Sequence, residues 1–125
     1  MSRTRTIGIG LCLGILTLPG LAMGNTFDDP VRVFATCAGR LSAQMEHQWL
    51  LSDPASDQTE HQRDIVLEVL AAMTPEGQES RIMGWRLEAK VAHAALLQSA
   101  TFRNSPWAGE TATRLVAQCT TLVVS

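Results

Sequence analysis

The sequence predicts an all-α protein, a four-helix bundle whose helices run up, down, up and down, closed by one disulfide after a cleaved export signal. Three observations favour this fold. Apolar residues recur at helical spacing in four segments, each with its own start signal. Short connections join the segments, as in bundles of antiparallel neighbours. Two cysteines remain once the N-terminal signal is set aside.

The chain is predicted to consist of a signal peptide over residues 1–24 and a single helical domain over residues 25–125. Arg3 and Arg5 lie near the start, and an uncharged apolar stretch follows over residues 7–18. Small residues then precede the expected cleavage point. This order of charged, apolar and small residues is typical of a cleavable secretory signal.

Cleavage is expected after Gly24, with cleavage after Ala22 as the alternative, because both positions offer the small side chains that the peptidase requires. The apolar stretch is shorter than the roughly 20 residues that span a bilayer, which argues against an uncleaved anchor. Leu11 precedes Cys12, so a lipid-modified cysteine is not expected. We therefore expect a periplasmic or secreted protein with no stable membrane insertion after cleavage.

The expected mature chain is acidic. The sequence has ten Lys and Arg against twelve Asp and Glu, and removal of Arg3 and Arg5 leaves eight basic residues and a formal charge of −4. Nucleic acids and anionic membranes bind clusters of basic residues, and this sequence has no run of them. Neither is expected as a partner. The strong preference for Arg over Lys suggests a GC-rich bacterial genome, and hence the periplasm.

Helix one is predicted to begin at Asp29-Pro30 and to end near Leu51, before the turn signal Ser52-Asp53-Pro54. Asp is a favourable N-cap residue, and Pro is favoured at the first helical position. The residues at helical spacing on one face are apolar, with the single exception of Gln48: Phe34, Cys37, Ala38, Leu41, Met45 and Trp49.

Helix two is predicted to begin at Asp57, with Glu60 three residues later forming a capping box. Thr74-Pro75-Glu76 is predicted to end it and to open helix three by the same arrangement of cap and proline. The expected buried face of helix two comprises Gln62, Ile65, Val66, Val69, Leu70 and Met73.

Helix three is expected to be the longest, extending to about Ala100, and Ser105-Pro106 is predicted to start helix four. Helices one and four are antiparallel neighbours in the predicted bundle, so Cys37 and Cys119 are expected at the same height. An even pair of cysteines in an exported protein predicts a disulfide, which closes a long loop and stabilises the fold by about 4–5 kcal/mol.

Histidine is the first candidate for metal binding. His47, His61 and His93 are expected near one pole of the bundle, close to Trp49 and Trp107. His47 and His61 point away from the apolar faces of their helices, and His93 lies at a boundary. No pair of histidines has the spacing that places two ligands on one helix face. The three are therefore weak candidates, and no metal or cofactor is expected.

No sequence motif indicates catalysis. The chain lacks the Cys-x-x-Cys-His signature of covalent haem attachment and the Gly-x-Ser-x-Gly turn of serine hydrolases. The paired acids Asp28 and Asp29 are explained by capping of helix one. The protein is therefore not expected to be an enzyme.

Helix three carries two apolar stripes on opposite sides. The expected core stripe comprises Ile82, Trp85, Ala89, Ala92 and Leu96, and the second comprises Met83, Leu87, Val91 and Ala94. A bundle helix normally has one apolar stripe. Either the second stripe contacts another helix of the same bundle, or it binds another protein.

The favoured function is a non-enzymatic protein-interaction or accessory subunit that binds its partner through helix three. Two alternatives remain open. The first is a small-molecule or metal carrier with its site near the histidines and tryptophans. The second is a periplasmic stress chaperone that exposes apolar helix faces when conditions change.

Overall fold

The computed structural model describes residues 29–124, which form four α-helices and no β-strand. The helices are α1 (Pro30–Leu50), α2 (Ser56–Met73), α3 (Glu79–Phe102) and α4 (Pro106–Thr120). The predicted all-α class is confirmed for this range. The predicted signal peptide and both cleavage positions lie outside the described residues. Among the helices of residues 29–124, none has the length and apolar character required to cross a membrane.

Helix α1 is the central helix of the fold. It packs most extensively on α3, then on α2, and over a shorter length on α4. The remaining substantial contact joins α3 to α4. The central position explains the burial of α1, which extends around more than one face: Ala35, Cys37, Ala38, Gly39, Leu41, Ala43 and Met45 are all buried.

Small residues on α1 allow α3 to approach closely. Ala35, Gly39 and Ala43 follow one another at intervals of four residues and are all buried. Gly39 lies against the α3 backbone, at the Arg86 carbonyl oxygen and the Lys90 amide nitrogen. A side chain at this position would separate the two helices, so the absence of Cβ sets their distance.

The core joins the four helices around α1. Leu41 is completely buried, and Val66 and Leu70 of α2 and Ile82 of α3 pack in the same cluster. Of the predicted face of α2, Val66 and Leu70 are buried, whereas Val69 remains 40% exposed. Because α2 packs chiefly on α1, only a narrow face of α2 is covered.

The two cap signals followed by proline at the starts of α1 and α4 are confirmed. The Asp29 carboxylate accepts a hydrogen bond from the Val31 amide at 3.1 Å. The Ser105 hydroxyl accepts one from the Ala108 amide at 3.3 Å. Each side chain satisfies a backbone donor that the helix itself leaves unpaired.

The predicted starts of α2 and α3 are corrected by the structure. Helix α2 begins at Ser56 with Ala55 as the cap, and no side chain caps it, so the Asp57–Glu60 capping box does not form. Helix α3 begins at Glu79 rather than at Thr74-Pro75. The chain turns first at Gly77, whose φ of +82° is a conformation that glycine adopts without steric cost.

Cys37 and Cys119 form the predicted disulfide, with their Cα atoms 5.3 Å apart. Both cysteines are buried in the main core cluster. The bridge joins the second turn of α1 to the last turn of α4, residues 82 positions apart in the sequence. It therefore ties the first described helix to the last.

Candidate functional site

The second apolar stripe of α3 is largely open to solvent. The relative exposure is 46% for Met83, 54% for Leu87 and 69% for Val91, while Ala94 is half-buried. We refer to Met83, Leu87, Val91 and Ala94 as the α3 stripe. Large apolar side chains that follow one helix face are a typical feature of protein-binding surfaces.

The α3 stripe is exposed because the buried face of α3 is centred elsewhere. The residues of α3 that are buried are Ile82, His93 and Leu97. This face is turned towards α1 and includes His93, which sequence periodicity placed at a boundary. The predicted core residues Trp85, Ala89 and Leu96 are half-buried, and Ala92 is exposed.

Basic side chains flank the α3 stripe on one side. Arg86 and Lys90 lie between the stripe and the buried face, and both are half-buried. The Lys90 ammonium forms an ion pair with the Glu46 carboxylate of α1 at 2.6 Å. A groove of about 330 Å³ adjoins the Met83 end of the stripe and is lined by α2 and α3, with Leu67, Ala71 and Arg86 among its walls.

The three predicted histidines have different surroundings. His61 is exposed on α2, whereas the His47 Nε2 atom lies 2.8 Å from the Thr101 hydroxyl of α3. His93 is only 1% exposed. Across residues 29–124, no three His, Cys, Asp or Glu side chains are grouped in a way that would hold a metal ion.

His93 is a neutral histidine with one nitrogen unpaired. Its Nε2 donates to the Gln44 amide oxygen of α1 at 3.1 Å, so Nδ1 carries the lone pair. Nδ1 is buried and has no hydrogen-bond partner. Burial lowers the pKa of His93 to about 4, assisted by the nearby charges of Arg40 and His47. An unpaired acceptor therefore lies inside the protein at neutral pH.

A row of polar residues follows one side of α1 at intervals of four. We refer to these residues as the polar row, namely Arg32, Thr36, Arg40, Gln44 and Gln48. Helices α3 and α4 flank the row without covering it, because the contact between α1 and α4 is short. Arg40 is half-buried, and burial lowers the pKa of its guanidinium. The Gln48 side-chain oxygen is buried and unpaired, like His93 Nδ1.

Two open clefts adjoin the polar row. The first, about 260 Å³, lies between α1 and α3, and its walls include Arg32, Thr36, Arg40, Trp85, His93 and Leu115. We refer to it as the arginine cleft. The second, about 510 Å³, lies on the α4 side and shares Arg32, Thr36 and Arg40 with the first. The same three polar side chains therefore face both volumes.

Positive charge is concentrated around Trp85. The Arg32 guanidinium lies 5.3 Å from the indole ring centroid, and the Arg81 guanidinium lies 5.1 Å from it. These are cation–π distances. Within residues 29–124, no carboxylate approaches Arg32 or Arg40 to ion-pair distance, although exposed Glu88 lines the rim of the arginine cleft.

Apolar periodicity does not reveal the polar row, because the row is defined by the spacing of the polar residues themselves. Five polar residues at constant intervals of four form a continuous strip on the surface of α1. That spacing was visible in the sequence. The burial of His93 was not, because it depends on which face of α3 docks against Gly39.

Comparison with known proteins gave no relatives: no protein-family model, curated protein or solved structure matches this chain.

Proposed function

We propose that this protein is an exported, non-enzymatic interaction or accessory subunit that binds another protein through the α3 stripe. The exposure of Met83, Leu87 and Val91 is the observation that carries the proposal. Complete burial of a large apolar side chain stabilises a complex by about 1.5–3 kcal/mol. About half of that gain is still available at Met83 and Leu87, and about two thirds at Val91, in proportion to the exposure of each side chain.

The partner surface that best fits the α3 stripe is an amphipathic helix. Met83, Leu87 and Val91 are spaced by four residues, so they form one ridge on α3, and a second helix can pack its own apolar residues beside that ridge. Arg86 and Lys90 border the ridge on one side. We therefore expect the partner helix to carry acidic residues along the edge that faces them.

The same charges disfavour a symmetric antiparallel dimer of this chain. In such a dimer Arg86 and Lys90 of one copy would face the same residues of the other. Of these two residues, only Lys90 has an acidic neighbour within ion-pair distance in residues 29–124. A different polypeptide with an acidic edge avoids this repulsion, and a homodimer becomes one outcome of the test.

The proposal includes an up-down-up-down arrangement of the helices. Contacts between α1 and α3 keep the same residue order in both helices, which supports parallel axes: Arg32 with Trp85, Gly39 with Arg86, and His47 with Thr101. The late α1 residue Met45 contacts the early α2 residue Arg63, which supports antiparallel axes. The disulfide joins the start of α1 to the end of α4, which also supports antiparallel axes.

Export by a cleaved signal over residues 1–24 is also part of the proposal. It is supported by the order of arginines, apolar residues and small residues in the sequence. The Cys37–Cys119 bridge is consistent with an oxidising compartment, where disulfides persist. We propose the periplasm or the extracellular space as the location.

The test is site-specific photocrosslinking in the native host, with a benzophenone amino acid at position 87. A matched control carries the same group at position 69, because Val69 is also an exposed apolar residue but lies on α2. We expect position 87, and not position 69, to give one defined crosslinked polypeptide. Mass spectrometry of the crosslinked peptide should identify a helix with an acidic edge.

A second arm uses Leu87→Asp and Val69→Asp. Both variants should keep the helical circular dichroism of the wild type, and only Leu87→Asp should lose the crosslinked partner when the probe is moved to position 91. A crosslinked peptide from a second copy of this chain would show that the stripe forms a homodimer rather than a complex with a different protein. Equal crosslinking from positions 69 and 87 to many proteins would favour the chaperone alternative, and no crosslink from position 87 would exclude the proposal.

A further inference from the structure

We propose that the arginine cleft binds a small aliphatic dicarboxylate, an anion whose two carboxylate groups are joined by a short apolar chain. This site is separate from the α3 stripe and does not depend on the proposed protein partner. Two features of the cleft support the inference. Its α1 side offers two guanidinium groups and one hydroxyl, and its opposite side is lined chiefly by Ala, Leu and Trp side chains.

The two guanidinium groups select an anion. Arg32 and Arg40 both line the cleft, and Thr36 lies midway between them in the α1 sequence. Neither arginine forms an ion pair with a carboxylate within residues 29–124, so both charges are available to a ligand. Arg40 is half-buried, so its charge is partly removed from water without compensation from an acidic side chain. A bound carboxylate would supply that compensation through charge-assisted hydrogen bonds.

Trp85 positions one of the two guanidinium groups. The Arg32 guanidinium lies over the indole ring, 5.3 Å from its centroid, and this contact restricts an otherwise exposed side chain. A cation–π contact engages no hydrogen-bond acceptor, so it leaves the N–H donors of the guanidinium to oxygen ligands. The Arg81 guanidinium lies 5.1 Å from the same ring and adds positive charge nearby. Trp85 therefore holds Arg32 without using the donors that a carboxylate needs.

The separation of the two arginines favours two carboxylates on one ligand. Arg32 and Arg40 are two turns apart on α1, which corresponds to a rise of about 12 Å along the helix axis. One carboxylate can form a pair of hydrogen bonds with one guanidinium, and a few methylene groups would carry a second carboxylate towards the other. Between the two arginines, the Thr36 hydroxyl offers a further donor.

The opposite wall favours an aliphatic chain between the carboxylates. Ala89, Ala92, Leu96 and Leu115 line this side of the cleft. Methylene groups that pack against these side chains are removed from water, which is favourable, whereas an inorganic anion would lose hydration there without compensation. The volume of about 260 Å³ lies slightly below the usual range for small-molecule sites, so the chain must be short.

The other charges of the protein oppose non-specific binding of anions. The predicted mature chain has eight Lys and Arg against twelve Asp and Glu, so its net charge repels a dianion. Glu88 is exposed and also lines the cleft. Its carboxylate opposes a bound dianion, so its removal should strengthen binding. This residue provides a variant whose expected effect is opposite to that of the arginine variants.

The experiment is calorimetric titration of the disulfide-bonded protein with three anions at neutral pH and low salt. The probe is glutarate. The comparisons are pentanoate, which has the same chain length with one carboxylate, and sulfate, which is a dianion without the chain. We expect glutarate to bind best. Removal of one carboxylate should weaken binding about tenfold, and replacement by sulfate about threefold to tenfold.

Variants separate this cleft from general charge attraction. Arg32→Gln and Arg40→Gln should each weaken glutarate binding about tenfold and reduce the preference for glutarate over pentanoate to about twofold or less. Arg103→Gln, at the exposed end of α3 outside the cleft, should leave both affinities unchanged. Glu88→Gln should strengthen glutarate binding about twofold to fivefold. Circular dichroism of each variant checks that the helices are intact.

Four results would overturn the proposal. The first is absence of glutarate binding at concentrations on the order of 10 mM. The second is binding of pentanoate as tight as that of glutarate, which would leave one arginine without a role. The third is equal weakening by Arg103→Gln and Arg40→Gln. The fourth is binding of sulfate as tight as that of glutarate, which would leave the apolar wall without a role.

Discussion

Gly39 of α1 packs directly against the backbone carbonyl oxygen of Arg86 on α3. A Cβ atom at position 39 would overlap that oxygen, and it would also lie 3.0 Å from the Lys90 amide nitrogen and 3.1 Å from Ala89 Cβ. The first two neighbours are helix backbone, so they cannot move aside by changing a rotamer. The two helices must separate to admit any other residue.

Gly39→Ala should therefore destabilise the protein by about 2 kcal/mol or more, although alanine favours helix by about 1 kcal/mol relative to glycine. Gly84→Ala is the matched control, because a Cβ at Gly84 meets no atom within 4 Å. It should stabilise α3 by up to about 1 kcal/mol. Urea unfolding followed by circular dichroism measures both changes, and a Gly39→Ala variant as stable as the wild type would contradict the close approach.

Removal of the disulfide should lower the free energy of unfolding by about 4 kcal/mol, because the bridge closes a loop of 82 residues in the unfolded chain. The measurement compares urea unfolding of the oxidised wild type with that of the Cys37→Ala, Cys119→Ala double variant. The reduced wild type is the control for cavity effects. A loss below about 1 kcal/mol would mean that the unfolded chain remains compact without the bridge.

Protonation of His93 should destabilise the fold as the pH falls. Its pKa is about 4 in the folded protein, compared with 6.5 for a free histidine. The stability that comes from keeping the ring neutral is complete above pH 6.5 and is lost as the pH falls from 6.5 towards 4. This pKa difference corresponds to a loss of about 3 kcal/mol.

Two measurements test this pH dependence. Histidine NMR titration should place the midpoint of His93 well below the 6.5 of a free histidine. The stability difference between the wild type and His93→Gln should shrink as the pH falls from 6.5 to 4, because only the wild type has the His93 ring to protonate. The carboxylates titrate in both proteins, so their contribution cancels in this difference. A His93 midpoint near 6.5 would mean that the ring is hydrated rather than buried.

Ser105→Ala should cost about 1 kcal/mol, because the Ser105 hydroxyl caps α4 through the Ala108 amide. Asp57→Ala should cost less than half of that, since Asp57 makes no capping hydrogen bond and retains only its favourable position near the start of α2. Urea unfolding of the two variants gives the comparison. Equal losses of stability in the two variants would indicate that Asp57 does cap α2, as the sequence predicted.

The sequence predicted those parts of the fold that depend on local chemistry. The caps at Asp29 and Ser105 formed as expected, because each side chain bonds a backbone amide only two or three residues away. The pairing of Cys37 with Cys119 was also predicted, since no other cysteine lies beyond the expected signal. The start of α3 was not predicted correctly, because the chain turns at Gly77 after Thr74-Pro75 and the helix begins only at Glu79.

The features that sequence reasoning missed depend on packing between distant residues. Helix α1 is buried on more than one face by small side chains such as Ala35 and Ala43, which contribute little to an apolar stripe. The neutral state of His93 follows from its burial against α1, where its Nε2 contacts Gln44, 49 residues away in the sequence. The α3 stripe was identified from spacing, but its exposure depends on how far α2 lies from α3.

The central position of α1 has a consequence for the timing of folding. Helix α1 is synthesised before the helices that cover it, and Cys37 can form its disulfide only after Cys119 of α4 has been synthesised. The contacts of α1 with α3 and α4 join residues far apart in the sequence, whereas its contacts with α2 join neighbouring segments. We expect α1 and α2 to pair first, and α1 to be covered completely only after its last partner helix has been synthesised.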